Sequence, residues 1–345
     1  MELDAFVLLL SGSVGLLVVG AGLWWDRRLG AHARGGVPPP VDDVVLRARE
    51  LLRRVRRIEL TSRRAVQDRL AGSYHSIFKG RGMAFSDVRA YAPGDDVRFI
   101  DWNVTARTGH LHVKQFVEER ELTVLLVIDL SHSMRFGTRG APKLDLAAEL
   151  TALLAMSAMR NQDKVGLVTF TDRVETFLRP RKGRAHVLRV IREVLSSRAA
   201  GSRTNVAEVL RWLSHALKRQ AVVFLVSDFA GAFDGAKNDV EERLLRATAR
   251  RHDLICIEVV DPLEEHLPDV GLVEQRDAES GERFLVDTTP HVRQVFAGRA
   301  REERQARQDL FRRLAVDHLL LRTGDDNKQA VVRFFAARAR RAARG

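Results

Sequence analysis

The chain has 345 residues, 45% of them apolar, a formal net charge of +12 and one cysteine. This is the composition of a globular protein with a sizeable core, and Cys256 alone excludes an internal disulfide or a cysteine zinc cluster. The thiol reads as a small buried hydrophobe, and the arginine-rich charge leaves nucleic acid, an anionic membrane surface and a solvated face all open.

Ala5 to Trp25 runs without a charge, about 30 Å as a helix and enough to cross a bilayer core. Trp24 and Trp25 end it, and Arg27, Arg28 and Arg34 follow, so the positive-inside rule places the rest of the chain in the cytoplasm. The rival reading is a cleaved signal peptide, against which Glu2 and Asp4 stand where a basic n-region belongs. Gly35 to Pro40 is a stiff spacer. The stretch after it repeats Val45, Ala48, Leu52, Val55 and Leu60 near helical spacing, with Arg47, Arg49, Arg53, Arg54, Arg56 and Arg57 on the other face. That helix is either solvated or in contact with anionic headgroups.

Residues 72–121 have a different texture, with several glycines and short β-like runs, and predict a small β-rich subdomain. Asp95, Asp96 and Asp101 lie within it, either as a second acidic site or as turn and cap residues paired with Arg98 and Arg107. From Leu122 onward, short Val/Ile/Leu runs alternate with helical stretches, which predicts an α/β domain with a doubly wound, mostly parallel sheet covered on both faces. A β-hairpin around "ESGE", a long helix, a final strand at "HLLLRTG" and a closing helix complete it. The chain therefore divides into 1–26, a membrane helix; 27–71, linker and basic helix; 72–121; and 122–345.

The strand "TVLLVID" ends on a carboxylate, and Ser131 and Ser133 follow Asp129 at alternate positions. Ligands of open α/β sheets bind at the carboxyl ends of strands, and a loop of alternating residues aims these three side chains at one point. One carboxylate and two hydroxyls form a hard-oxygen cluster suited to Mg2+, with Mn2+ or Ca2+ as alternatives. Thr204 opens a helix, and a second strand ends on Ser227 and Asp228 in the position equivalent to Asp129. The competing reading is structural, with Asp129 capping its loop and the serines bonding backbone.

The Asp-x-Ser-x-Ser loop with Thr204 and Asp228 downstream resembles the metal-ion-dependent adhesion site of von Willebrand factor A domains. That resemblance implies a Rossmann-like fold, the ligand set Asp129, Ser131, Ser133, Thr204 and Asp228, and an octahedron completed by an acidic side chain of a partner. Gly80 to Met134, with "SDF", "DPLEEHLPDVG" and "ESGERFLVD" downstream, is similar to the bacterial family called domain of unknown function 58. This implies a membrane-anchored von Willebrand A-like protein working with a MoxR-type AAA+ ATPase in the maturation or assembly of an acidic client protein. It also implies a location at the bacterial inner membrane. Many members carry two membrane spans where this chain offers one, and Asn205 stands where an aspartate is frequent.

Two other functions compete. A hydrolase would use Ser131 or Ser133 as nucleophile, but His132 lies between them and no Gly-x-Ser-x-Gly elbow is present. No phosphate-binding Gly-x-x-x-x-Gly-Lys loop occurs, so ATPase activity must come from a partner. Nucleic-acid binding would use the basic helix and the "RARRAARG" tail, but aromatic residues are not interleaved with those arginines, and no nucleic acid is expected.

Overall fold

The computed structural model describes residues 16–18, 83–118, 121–138, 141–197, 201, 203–233, 239–277 and 282–342. The basic helix expected before residue 71 lies outside them. So does the expected membrane helix, apart from β1 (Leu16–Val18), which is a short strand and not a helical turn. These three apolar residues pair antiparallel with Gln275 to Asp277 of a later hairpin strand. Among the described residues no helix is long and apolar enough to cross a membrane.

β2 (Met83–Ala90) and β3 (His112–Glu118) form an antiparallel pair, with α1 (Trp102–Thr108) between them in the chain. The aspartates here hold turns and caps. Asp95 accepts from the Ala92 amide and pairs with Arg89, Asp96 pairs with Arg98, and Asp101 caps α1 through the Asn103 and Val104 amides. Of the two expected arginine partners, Arg98 does pair with an aspartate, Asp96, while Asp95 is taken by Arg89 and Arg107 donates to the Asn103 carbonyl.

The main body follows as β4 (Thr123–Asp129), α2 (Lys143–Arg160), β5 (Lys164–Phe170), β6 (Val174–Arg181), α3 (Arg184–Ser196), α4 (Val206–Ala216) and β7 (Val222–Ser227). It continues with α5 (Asp239–Arg251), β8 (Asp253–Val260), α6 (Pro262–Glu265), the hairpin β9 (Leu272–Asp277) and β10 (Arg283–Asp287), α7 (Pro290–Arg313), β11 (Asp317–Arg322) and α8 (Asn327–Ala342). Six strands form one sheet in the order β11-β8-β7-β4-β5-β6, parallel except for the edge strand β6.

β4 shows why the sheet is buried on both faces. Val124, Leu126 and Ile128 pack against α2, α3 and α8, while Leu125 and Val127 pack against α4, α5 and α7. Successive side chains of a strand point to opposite faces, so a continuous apolar run serves two cores. Cys256 belongs to the second core, where burial pushes its thiol upward in pKa. The chain passes from β4 to β5 and β6 on one side, then crosses back to β7 on the other. Strand direction of travel therefore reverses between β4 and β7, and the crevice at their carboxyl ends is the switch point where ligands of such sheets bind.

Candidate functional site

Asp129 is the last residue of β4 and is fully buried. Its Oδ1 accepts from the Ser131 amide at 2.8 Å, which turns the chain sharply back on itself. Its Oδ2 accepts from Ser227 Oγ at 2.6 Å and Thr204 Oγ1 at 3.2 Å. Ser131 and Ser133, both buried, face each other with hydroxyl oxygens 3.0 Å apart. The Ser133 hydroxyl lies close enough to Asp228, which follows β7 directly, to favour its ionised form. All five residues read from the sequence thus converge at the β4–β7 switch point, contributed by three separate segments.

Each segment is positioned for a local reason. Ser133 opens a short 3-10 turn, Ser133–Arg135, that carries the loop away from the strand. The Thr204 segment is tied to the end of β5 by the Asn205 amide donating to the Thr171 carbonyl at 3.0 Å. Asn205 itself caps α4, accepting from the Glu208 amide at 3.0 Å, so it serves the helix and not the carboxylate cluster. Gly201 packs so closely on Thr171 and Asp172 that a β-carbon there would lie 3.0 Å from Thr171 Cβ.

Three participants were not among the residues selected from sequence. Ser227, read from the sequence at its strand end but not placed in the ligand set, is the first. The second is Lys143, the first residue of α2, whose ammonium is fully buried and donates to Asp228 Oδ2 at 2.6 Å and to Glu264 Oε1 at 2.5 Å. The third, Glu264, belongs to α6 in the "DPLEEHLPD" segment. Its other oxygen accepts from the Asp261 amide at 2.8 Å, and Asp261 accepts from the Leu263 amide at 3.0 Å, which together form a capping box. Asp261 also accepts from the Thr138 amide at 2.9 Å and hydroxyl at 2.5 Å, fastening the far end of the serine loop. A lysine at a helix start opposes the macrodipole, and that anomaly is the signal the sequence offered.

The electrostatics follow from burial and proximity. Burial and the neighbouring Asp228 charge push the Asp129 carboxyl up to about 7. Burial acts the same way on Asp228, but the charge and hydrogen bond of Lys143 and the Ser133 hydroxyl outweigh it and hold Asp228 below the ordinary carboxylate range. Burial lowers the Lys143 ammonium, and the two carboxylates more than reverse that.

The donor set fits a hard divalent cation. Adjacent vertices of an octahedron of about 2.1 Å radius lie about 3 Å apart. The Ser131–Ser133 and Thr204–Asp129 oxygens, hydrogen-bonded at 3.0 Å and 3.2 Å, are already gathered at about that spacing, which is also an ordinary hydrogen-bond length. Among the described residues no group of three or more His, Cys, Asp or Glu side chains is placed to hold a metal. The candidate is of a different kind, two carboxylates with three hydroxyls.

A mostly parallel α/β sheet with an oxygen cluster at its switch point defines the class of protein. The chain belongs to the family described as Protein of unknown function DUF58, whose model matches residues 87–306. It is 36% identical over 295 residues to Uncharacterized protein Rv1480 of Mycobacterium tuberculosis (strain ATCC 25618 / H37Rv), covering 84% of this chain and 90% of the relative. A shorter relative, Uncharacterized protein MAV169 of Mycobacterium avium, is 32% identical over 169 residues, 48% of this chain and 95% of its own length. Among solved structures, the conserved hypothetical protein BatB from Bacteroides thetaiotaomicron is similar at a TM-score of 0.41 and 14% identity, covering 64% of this chain and 99% of that one. An aerotolerance-related membrane protein from Bacteroides fragilis is similar at a TM-score of 0.40 and 15% identity, with the same coverage.

Proposed function

We propose that the protein is a von Willebrand A-like binding module that uses a divalent cation, Mg2+ in the cell, to engage an acidic group on a partner protein. The observation that carries this reading is the convergence of Asp129, Ser131, Ser133, Thr204 and Asp228 at the switch point. Asp129, Ser131, Ser133 and Thr204 would hold the ion, and Asp228 would orient Ser133 and contribute negative charge. When bound, the cation supplies a positive anchor for a carboxylate. The chain's own residues do the rest: Ser227 and the Ser131 amide fix the Asp129 carboxylate, and Asp261 fixes the serine loop. Exposed Arg135 and Arg276 lie close enough to His132, on the loop between the serines, to lower its basicity after burial has done so. They give the rim a positive field that favours an acidic client.

In this reading the module is tethered to the bacterial inner membrane by the apolar segment 5–25 and works with a MoxR-type AAA+ ATPase in protein maturation or assembly. A binding role is favoured over hydrolysis because each serine hydroxyl is engaged by the other or by Asp228, and among the described residues no histidine hydrogen-bonds to either.

The test is titration of Mg2+ and Mn2+ into wild type and Asp129→Ala, together with co-purification from detergent-solubilised membranes. The expected result is metal binding by wild type alone, and ATPase or client capture that is lost with EDTA and with Asp129→Ala. Capture that survives both removes the metal from the mechanism.

A further inference from the structure

We propose that Lys143 is the specificity-determining residue of this site, a built-in cation that offsets the charge of Asp228 and leaves Asp129 as the carboxylate without an ammonium partner facing an incoming divalent ion. The inference rests on the divalent-cation reading above. Lys143 occupies the first position of α2, with its side chain wholly shielded from solvent. A helix start repels positive charge, and a buried ammonium persists only with close anionic partners. Asp228 and Glu264 are those partners, at 2.6 and 2.5 Å.

The placement decides the charge of the occupied site. Lys143 offsets one of the two negative charges of Asp228 and Glu264, so a divalent ion held by Asp129 keeps more of its positive charge than it would without the lysine. That surplus is what attracts an anionic group from outside. If both carboxylates were free, they would cancel the ion, which would then bind more tightly but offer a partner little. Glu264 acts through Lys143: it draws the ammonium partly away from Asp228, and the capping box with Asp261 fixes where it sits. Because Asp261 also grips Thr138, one short turn after β8 holds both the ammonium and the end of the serine loop.

The experiment is isothermal titration of Mn2+ into the full chain in detergent, comparing wild type with Lys143→Gln, Glu264→Gln and the double variant. Removing a charge a few ångströms away in a partly buried site shifts affinity by about tenfold or more. Lys143→Gln is expected to bind Mn2+ at least about tenfold more tightly, and Glu264→Gln more weakly, because the ammonium then rests wholly on Asp228. In the Lys143→Gln background the Glu264→Gln shift should shrink, as coupled residues in one network require. A merely structural role would weaken Mn2+ binding in every variant. Where Lys143→Gln fails to fold, Glu264→Gln still decides: unchanged or tighter binding overturns the role of Lys143. Shifts of the same sign in both single variants overturn it as well. No Mn2+ uptake by wild type would instead overturn the divalent-cation reading itself.

Discussion

Glu258 lies wholly buried on β8, one strand in from the edge strand β11, and accepts from Arg307 at 2.9 Å while sharing a 2.9 Å contact with His318. Burial pushes its carboxyl up, but the His318 hydrogen bond and the charge of Arg307 outweigh that and leave it below the ordinary glutamate value. A carboxyl depressed in the folded state stabilises the protein above its unfolded pKa, and the contribution disappears as pH falls through the folded value. Glu258→Gln should therefore cost about 3 kcal/mol at neutral pH, because Arg307 is left buried without its counter-charge. Urea denaturation against pH should show the variant and wild type drawing together below the usual glutamate range. A constant gap across all pH values would assign the loss to packing alone.

Among the elements, the serine loop is the one whose shape was least visible beforehand. The runs of β4, β5, β7 and β8 announce strands because burial on both faces leaves no room for polar alternation. Asp129 and Asp228 were legible because each interrupts such a run at its end. Lys143 offered only its odd place at a helix start, since its partners lie 85 and 121 residues away and only the strand order brings them together. The three-residue strand at Leu16 also escaped a pattern reading, because its unbroken apolar surroundings fit a helix equally well. The loop returns to α2 through Gly137, where a β-carbon would sit 2.6 Å from Pro142 Cα and collide with the Ala141 backbone. The Lys143 amide closes the turn on the Phe136 carbonyl at 2.8 Å. Gly137→Ala is expected to force that turn open at a cost of about 1–3 kcal/mol, measured as a lower urea midpoint. An unchanged midpoint would mean the turn relaxes freely.

At the scale of the whole molecule, a ligand held between β4 and β7 bears on both cores at once, because the two strands contribute to each. Binding to the folded chain alone stabilises it by mass action, about 2.7 kcal/mol at a hundredfold excess over Kd. Mg2+ should raise the unfolding midpoint of wild type accordingly and leave Asp129→Ala unmoved; an equal rise in both would point to a cation effect elsewhere on the protein. The two cores also grip alternate side chains of β4. A slip of one position would exchange its faces, and a slip of two would carry Asp129 about 7 Å from its mates. The strand is thus a ruler: its length, Thr123 to Asp129, meters out where chemistry begins. Inserting or deleting a single residue there would misplace the carboxylate even if every atom needed for coordination were kept.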